Sequence, residues 1–248
     1  DMIFRVVERL MQKVCHQIGH ELTLPFRRLS YEDAIARYGS DKPDLRCAME
    51  IQDVSKIFSR SEFKLFRDTV KKGGVVRALV IPDAGRYARH KIDQLVDEAI
   101  ELGAKGLSWV RQSKDGVIQS SIMKAAGELI IMETIEATNA GPNDLILLVA
   151  GTGEEASGFL GQLRLSIARR ENLIDESKFE FLWVVNFPLF EWSKQEGRYV
   201  SMHHPFTAPQ EEGLSSLEEN PGAVLAQAYD LVLNGSEIGG GSIRIHNE

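Results

Sequence analysis

Three consecutive glycines, Gly239 to Gly241, follow two carboxylates, Asp230 and Glu237, and precede Arg244 in the run Tyr229-Asp-Leu-Val-Leu-Asn-Gly-Ser-Glu-Ile-Gly-Gly-Gly-Ser-Ile-Arg-Ile-His246. The apolar alternation predicts a strand over 229–234, a turn at Gly235-Ser236 and a returning strand over 238–245. A glycine inside a strand costs roughly 0.5–1 kcal/mol relative to alanine. Three in a row are therefore expected where a flat wall without side chains supports a ligand, or where two backbones cross closely.

Strand alternation puts Asp230, Val232 and Asn234 on one face, and Ser242 and Arg244 on one face of the next strand. If the polar faces coincide, Asp230, Ser242 and Arg244 gather on one side of the sheet. Glu237 lies seven residues before Arg244 and so falls on the opposite face of an ideal strand. A bulge at the glycines, or a place in the turn, would bring it back. An arginine can grip a carboxylate through two parallel hydrogen bonds. Asp230 and Glu237 are hard oxygen donors of the kind magnesium takes alongside phosphate. The plainer alternative is a salt bridge between Arg244 and an acid.

The upstream segment Met202-His-His-Pro-Phe-Thr-Ala-Pro209 carries His203 and His204. Adjacent strand residues point opposite ways, and no third His or Cys stands at zinc spacing, so a zinc site is not expected. No serine has the setting of a nucleophile elbow.

The 248 residues are enough for one or two domains, and 43% hydrophobic with 26% charged residues is ordinary for a globular chain. A net charge of −7 argues against nucleic-acid binding over the whole surface. The clusters Arg86/Arg89/Lys91 and Lys71/Lys72/Arg77 are either solvated faces or a local basic contact. No apolar run approaches the ~18–20 residues of a membrane span, and the start lacks a signal-peptide pattern. Cys15 and Cys47 make no disulfide framework, which points to a reducing, cytoplasmic setting. The chain starts within a helical pattern and stops just after a strand, as a piece of a longer protein would.

Residues 2–18 place Ile3, Val6, Val7, Leu10, Met11 and Val14 at helical spacing, with Arg5, Glu8 and Lys13 mostly opposite. Residues 22–26 read as extended. Ser30-Tyr-Glu-Asp33 predicts a capped helix stopped at Gly39, and 39–46 an exposed loop of turns and local salt bridges. Residues ~50–172 alternate strands and helices as a compact α/β module with a small mixed sheet. Within it, Ala150-Gly-Thr-Gly153 reads as a structural turn; it lacks the third glycine of a dinucleotide fingerprint and the Lys-Ser/Thr of a P-loop. The last third reads as an antiparallel sheet, to which residues 1–50 belong if the module is an insertion.

Four segments in order, 38–46, 181–190, 203–209 and 229–246, resemble bacterial-type aspartyl-tRNA synthetases of class II. The resemblance covers essentially the whole chain. It implies an α+β fold: part of a class II antiparallel sheet with flanking helices in residues 1–49 and 173–248, interrupted by a GAD-like domain in 50–172. It also implies that this stretch lies between motifs 2 and 3 and is inactive alone. Implied ligands are ATP with Mg2+, L-aspartate and tRNA, in a cytoplasmic homodimer with no membrane association. By position, Arg244 corresponds to the arginine that binds the aspartate side chain. His203, with His204 beside it, lines the amino-acid pocket. Asp230 and Glu237 hold the ATP-bound magnesium, and Gly239, Gly240, Gly241 and Ser242 floor the pocket. Asn186 and Ser236 depart from the usual aspartate and tyrosine. The alternative is a tRNA-binding or interaction module built on the GAD-like domain, as in a tRNA-dependent amidotransferase subunit.

Overall fold

The structure, a computed structural model, describes residues 2–246. Helices and antiparallel strand pairs mix in an α+β fold. The chain divides into two compact units: Asp1–Ala34, Asp41–Arg46 and Glu176–Glu248 form one, and Ile35–Ser40 with Cys47–Asp175 the other.

The first unit is organised around a four-stranded sheet. In spatial order its strands are Arg27–Ser30, Phe181–Val185, Ala228–Leu233 and Ser236–Ser242. The last three run antiparallel to their neighbours, but Arg27–Ser30 pairs parallel with Phe181–Val185. The sheet is therefore mixed at this edge rather than wholly antiparallel, because a strand from the start of the chain docks beside one from its last third. Residues 22–26 form no strand; the Leu24–Pro25 peptide is cis and pairing begins at Arg27.

The N-terminal helix, Met2–Gln17, lies on the face of the sheet that carries Trp183, Tyr229 and Leu231. Phe4 stacks on Trp183 with ring centroids 4.4 Å apart. The expected apolar face docks only in part: Val7 and Met11 pack against this core. Ile3, Val6, Leu10 and Val14 are exposed, whereas Glu8 is buried. Its carboxylate accepts hydrogen bonds from the Trp183 Nε1–H at 3.0 Å and the Phe26 N–H at 3.3 Å. A buried polar oxygen is tolerated when it is hydrogen-bonded, as Oε1 is here by both donors. Hydrophobic periodicity alone sets the stripe off-centre because it scores Glu8 as solvent-facing.

The second unit holds a five-stranded sheet in the order Ile51–Asp53, Val75–Ile81, Leu145–Gly151, Ser108–Gln112, Ile118–Ser120. Every neighbouring pair is antiparallel, not mixed as the strand–helix alternation predicts. Alternation along Leu145–Gly151 feeds two cores. Leu145, Leu147 and Val149 face the helices Arg89–Glu101 and Gly153–Arg170, and Ile146 and Leu148 face the helices on the other side. At the Gly-Thr-Gly segment, Thr152 caps the helix Gly153–Arg170 in a reciprocal box with Glu155, so side chains already satisfy this helix start.

Candidate functional site

The closing hairpin turns at Asn234-Gly235, where both residues have positive φ, 51° and 83°. That is the signature of a tight Asn-Gly hairpin turn, one residue earlier than the sequence reading places it. Gly235 packs on the loop 41–46: a Cβ there would stand 3.1 Å from Asp44 Cβ. The loop is riveted locally. Arg46 Nε and Nη2 bind the buried Asp44 carboxylate at 3.0 and 2.7 Å, and Arg46 Nη1 meets Glu176 at 2.7 Å. Asp44 and then Glu176 hold the guanidinium even more firmly protonated than usual.

Across the hairpin, Asp230 pairs with Gly240 and Leu231 with Gly239, but Val232 pairs with Glu237. The register slips there, and Ile238 has no opposite residue. This bulge puts Glu237 on the same face as Asp230, as one of the two routes read from the sequence requires. The two carboxylates converge over Gly240, where a Cβ would lie 2.3 Å from Asp230 Oδ1 and 3.4 Å from Glu237 Oε1. Gly240 is thus glycine because the acids occupy its side-chain space. Gly241 leaves room in the same way for the Tyr229 hydroxyl on the opposite face, and Gly239 borders open space.

Asp230 is buried at 8% exposure. Burial, and then the negative charge of Glu237, push its carboxyl up to about 6. The nearby His203 and Lys42 pull it the other way. His203 packs edge-on against Phe187, with ring centroids 4.6 Å apart. His204 lies in its own turn, where Nδ1 accepts the Phe206 N–H at 3.1 Å. The two histidines have different neighbours, and both lie past the end of the strand Arg198–Ser201, so the strand placement read from the sequence does not hold for them.

Arg244 follows the hairpin on the same alternation as Ser242. The segment 206–208 runs antiparallel beside it: Ala208 N–H donates to Ile243 O at 2.8 Å, and Ile245 N–H to Phe206 O at 2.9 Å. Thr207, buried at 3% exposure, is the cross-strand partner of Arg244. Its Oγ1 lies 3.5 Å from Arg244 Nη1 and 3.4 Å from Ser242 Oγ. The Asp230–Arg244 salt bridge that composition alone allows is absent among the described contacts; Arg244 is anchored by a hydroxyl, which leaves its charge for a ligand.

Two departures have local explanations. Asn186 adopts φ 58° and its Oδ1 accepts from Gln210 Nε2 at 2.9 Å, a conformation that Asn and Asp tolerate best. Ser236 sits exposed just after the turn, opposite Leu233.

Lys42 and Thr207 belong to this cluster, and the sequence reading gave neither a role. Lys42 Nζ lies 3.5 Å from Glu237 Oε2 and 3.4 Å from Asp41 Oδ2. The pattern Asp-Lys-Pro-Asp-Leu-Arg reads as surface turn chemistry, and only the packing of Asp44 under Gly235 reveals where the lysine points.

The donor set fits a hard cation. Two carboxylates share one cradle, and Asp230 is pushed up by burial and then by the charge of Glu237. Among the described residues no group of three or more His, Cys, Asp or Glu side chains surrounds a metal position. An ion held here would complete its shell with phosphate oxygens and water, the habit of magnesium rather than zinc. No helix of the described residues is long and apolar enough to cross a membrane.

Comparison with known proteins places the whole chain in one family. The family described as tRNA synthetases class II (D, K and N) matches residues 1–248. The chain is 49% identical over 248 residues to the aspartate–tRNA(Asp/Asn) ligase of Moorella thermoacetica, covering 98% of this chain and 41% of that protein. It is 46% identical over 247 residues to the protein of the same name from Caldanaerobacter subterraneus, covering 100% of this chain and 41% of that one. The Persephonella marina ligase is 44% identical over 252 residues, covering 99% and 42%. The chain therefore spans about two fifths of the length of the curated relatives it matches.

Proposed function

Because the chain belongs to the class II tRNA synthetases of the D, K and N group, we propose that the full-length protein is an aspartate–tRNA ligase and that this chain carries the aspartate and metal side of its adenylation pocket. The observation that carries the reading is the convergence of Asp230 and Glu237 over Gly240, on the strand face that Ser242 and Arg244 share. The names of the relatives support aspartate as the amino acid.

In this reading Arg244, held by Thr207, takes the side-chain carboxylate of L-aspartate in a planar two-point grip. Ser242 and His203 line the same pocket, with His204 at its rim. Gly239, Gly240 and Gly241 form a floor on which substrate lies without meeting a side chain. Asp230 and Glu237 would hold magnesium, which would supply positive charge against ATP phosphate oxygens; the aspartate α-carboxylate attacks the α-phosphorus and pyrophosphate leaves. Such a displacement needs positioning and charge compensation more than a general base. A ribose hydroxyl at the tRNA 3′ end then attacks the aspartyl carbonyl of the adenylate, and AMP leaves. The family reading also makes the full-length enzyme a cytoplasmic homodimer and residues 50–172 a GAD-like inserted domain whose basic clusters touch tRNA. A stand-alone tRNA-binding module has no use for the carboxylate cradle or for Arg244.

ATP–pyrophosphate exchange by the full-length protein, run separately with aspartate, asparagine and lysine, tests this reading. Exchange that depends on aspartate is expected. Exchange driven by lysine or asparagine instead would contradict it.

A further inference from the structure

The Asp230–Glu237 pair already has a cation within reach, supplied by the chain itself. Glu237 divides its two oxygens: Oε1 points into the cradle above Gly240, and Oε2 lies 3.5 Å from Lys42 Nζ. The same ammonium lies 3.4 Å from Asp41 Oδ2, so it stands between two carboxylates. The loop that carries it is fixed by the Asp44–Arg46 pair and by the packing of Asp44 under Gly235, so the lysine is delivered to this position by the fold.

We propose that Lys42 is a positioning residue that serves as the built-in counter-cation of the carboxylate cradle, holding Glu237 Oε2 while no divalent cation is bound and giving it up to Asp41 when one binds. This rests on the reading of Asp230 and Glu237 as the metal-binding pair. Two like-charged acids facing one cradle repel each other, and one of them is buried. A tethered ammonium beside Glu237 relieves part of that repulsion in the metal-free protein. A divalent ion arriving between the acids brings two positive charges close to the ammonium, and the two cations compete for Glu237. Asp41 gives Lys42 somewhere to go, so it leaves Glu237 without losing a charged partner. The lysine and Glu237 side chains are each 39% exposed, so solvent screens this competition and its effect is several-fold rather than many orders of magnitude. The device would keep the cradle in shape when empty and weaken capture of a bare metal ion, favouring an ion that arrives with its phosphates.

Mn2+ serves as the probe, with binding to the full-length protein followed by electron paramagnetic resonance without nucleotide. Wild type, Lys42→Met, Lys42→Gln, Lys42→Arg and Glu237→Gln are compared at low ionic strength, each checked for folding by circular dichroism. Lys42→Met and Lys42→Gln are expected to bind Mn2+ about three- to tenfold more tightly than wild type, with the gain shrinking as salt is added. Lys42→Arg, which keeps the charge, is expected to stay close to wild type. A purely structural lysine would lower the melting temperature without raising Mn2+ affinity. Unchanged or weaker binding in both neutral variants overturns the proposal. If Glu237→Gln still abolishes Mn2+ binding in that case, the metal site stands and only the role of Lys42 falls. No binding by wild type, with or without ATP, overturns both.

Discussion

Glu237 stands opposite Val232 across the closing hairpin, one residue out of step with the Leu231–Gly239 pair beside it. In regular register Glu237 would face Leu233 and lie on the side of the sheet covered by the N-terminal helix. The slip at Ile238 turns its carboxylate to the side of Asp230. A one-residue irregularity in an edge strand thus builds the acid pair, and the glycine that follows gives the pair its room.

Gly240 and Gly239 should respond in opposite ways to the same change. A methyl at Gly240 would sit 2.3 Å from Asp230 Oδ1, whereas one at Gly239 meets no atom within 4 Å. Gly240→Ala is expected to weaken Mn2+ binding at least about tenfold by driving the carboxylates apart. Gly239→Ala should change it less than about twofold. Metal titration of both variants checks this, and equal effects would mean that the cradle is not where the ion sits.

Asp230 should make the metal-free protein less stable as pH rises. Its carboxyl is raised to about 6 by burial and by Glu237, so the folded chain holds a proton that the unfolded chain, with a pKa of about 3.9, has released. The stability it contributes is complete below about pH 4 and is lost as pH rises through about 6. Asp230→Asn is expected to remove that slope and to be more stable than wild type at pH 7.5 by about 1–3 kcal/mol, while losing divalent-ion affinity. Denaturant unfolding at pH 4.5 and 7.5 without divalent ions measures it. A less stable Asp230→Asn at pH 7.5 would show that the charge is not held at a cost.

Glu8 anchors the N-terminal helix to the sheet through two donors, Trp183 Nε1–H and Phe26 N–H. Glu8→Ala leaves both buried groups without their acceptor and is expected to cost about 2–4 kcal/mol. Glu8→Gln keeps an Oε1 acceptor and should cost less than about half of that. Unfolding titrations of the two variants separate a hydrogen-bonding role from simple packing, which would make the two losses alike.

The strands and the acid pair were legible because they rest on local rules. Alternation places Asp230, odd spacing demands a bulge for Glu237, and glycine allows one. Other features depend on what lies across space. Glu8 reads as surface because nothing in the helix announces Trp183, 175 residues away. The stripe Ile3, Val6, Leu10 and Val14 reads as core yet is exposed among the described residues. The parallel partner of Phe181–Val185 comes from Arg27–Ser30, a pairing that no local pattern encodes. Lys42 looks like turn chemistry until Asp44 is seen packed beneath Gly235. Thr207 carries no charge to draw attention, although its hydroxyl stands between Ser242 and Arg244.

In the proposed function, Arg244 selects the amino acid from a pocket shared with the carboxylate cradle. Its most direct test compares full-length wild type, Arg244→Lys and Arg244→Ala in two assays, aspartate-dependent ATP–pyrophosphate exchange and tRNA binding. Exchange is expected to fall at least about a hundredfold in Arg244→Ala and at least about tenfold in Arg244→Lys, with tRNA affinity within about twofold of wild type. Near-normal exchange in Arg244→Ala, or a loss of tRNA binding as large as the loss of exchange, would contradict the account.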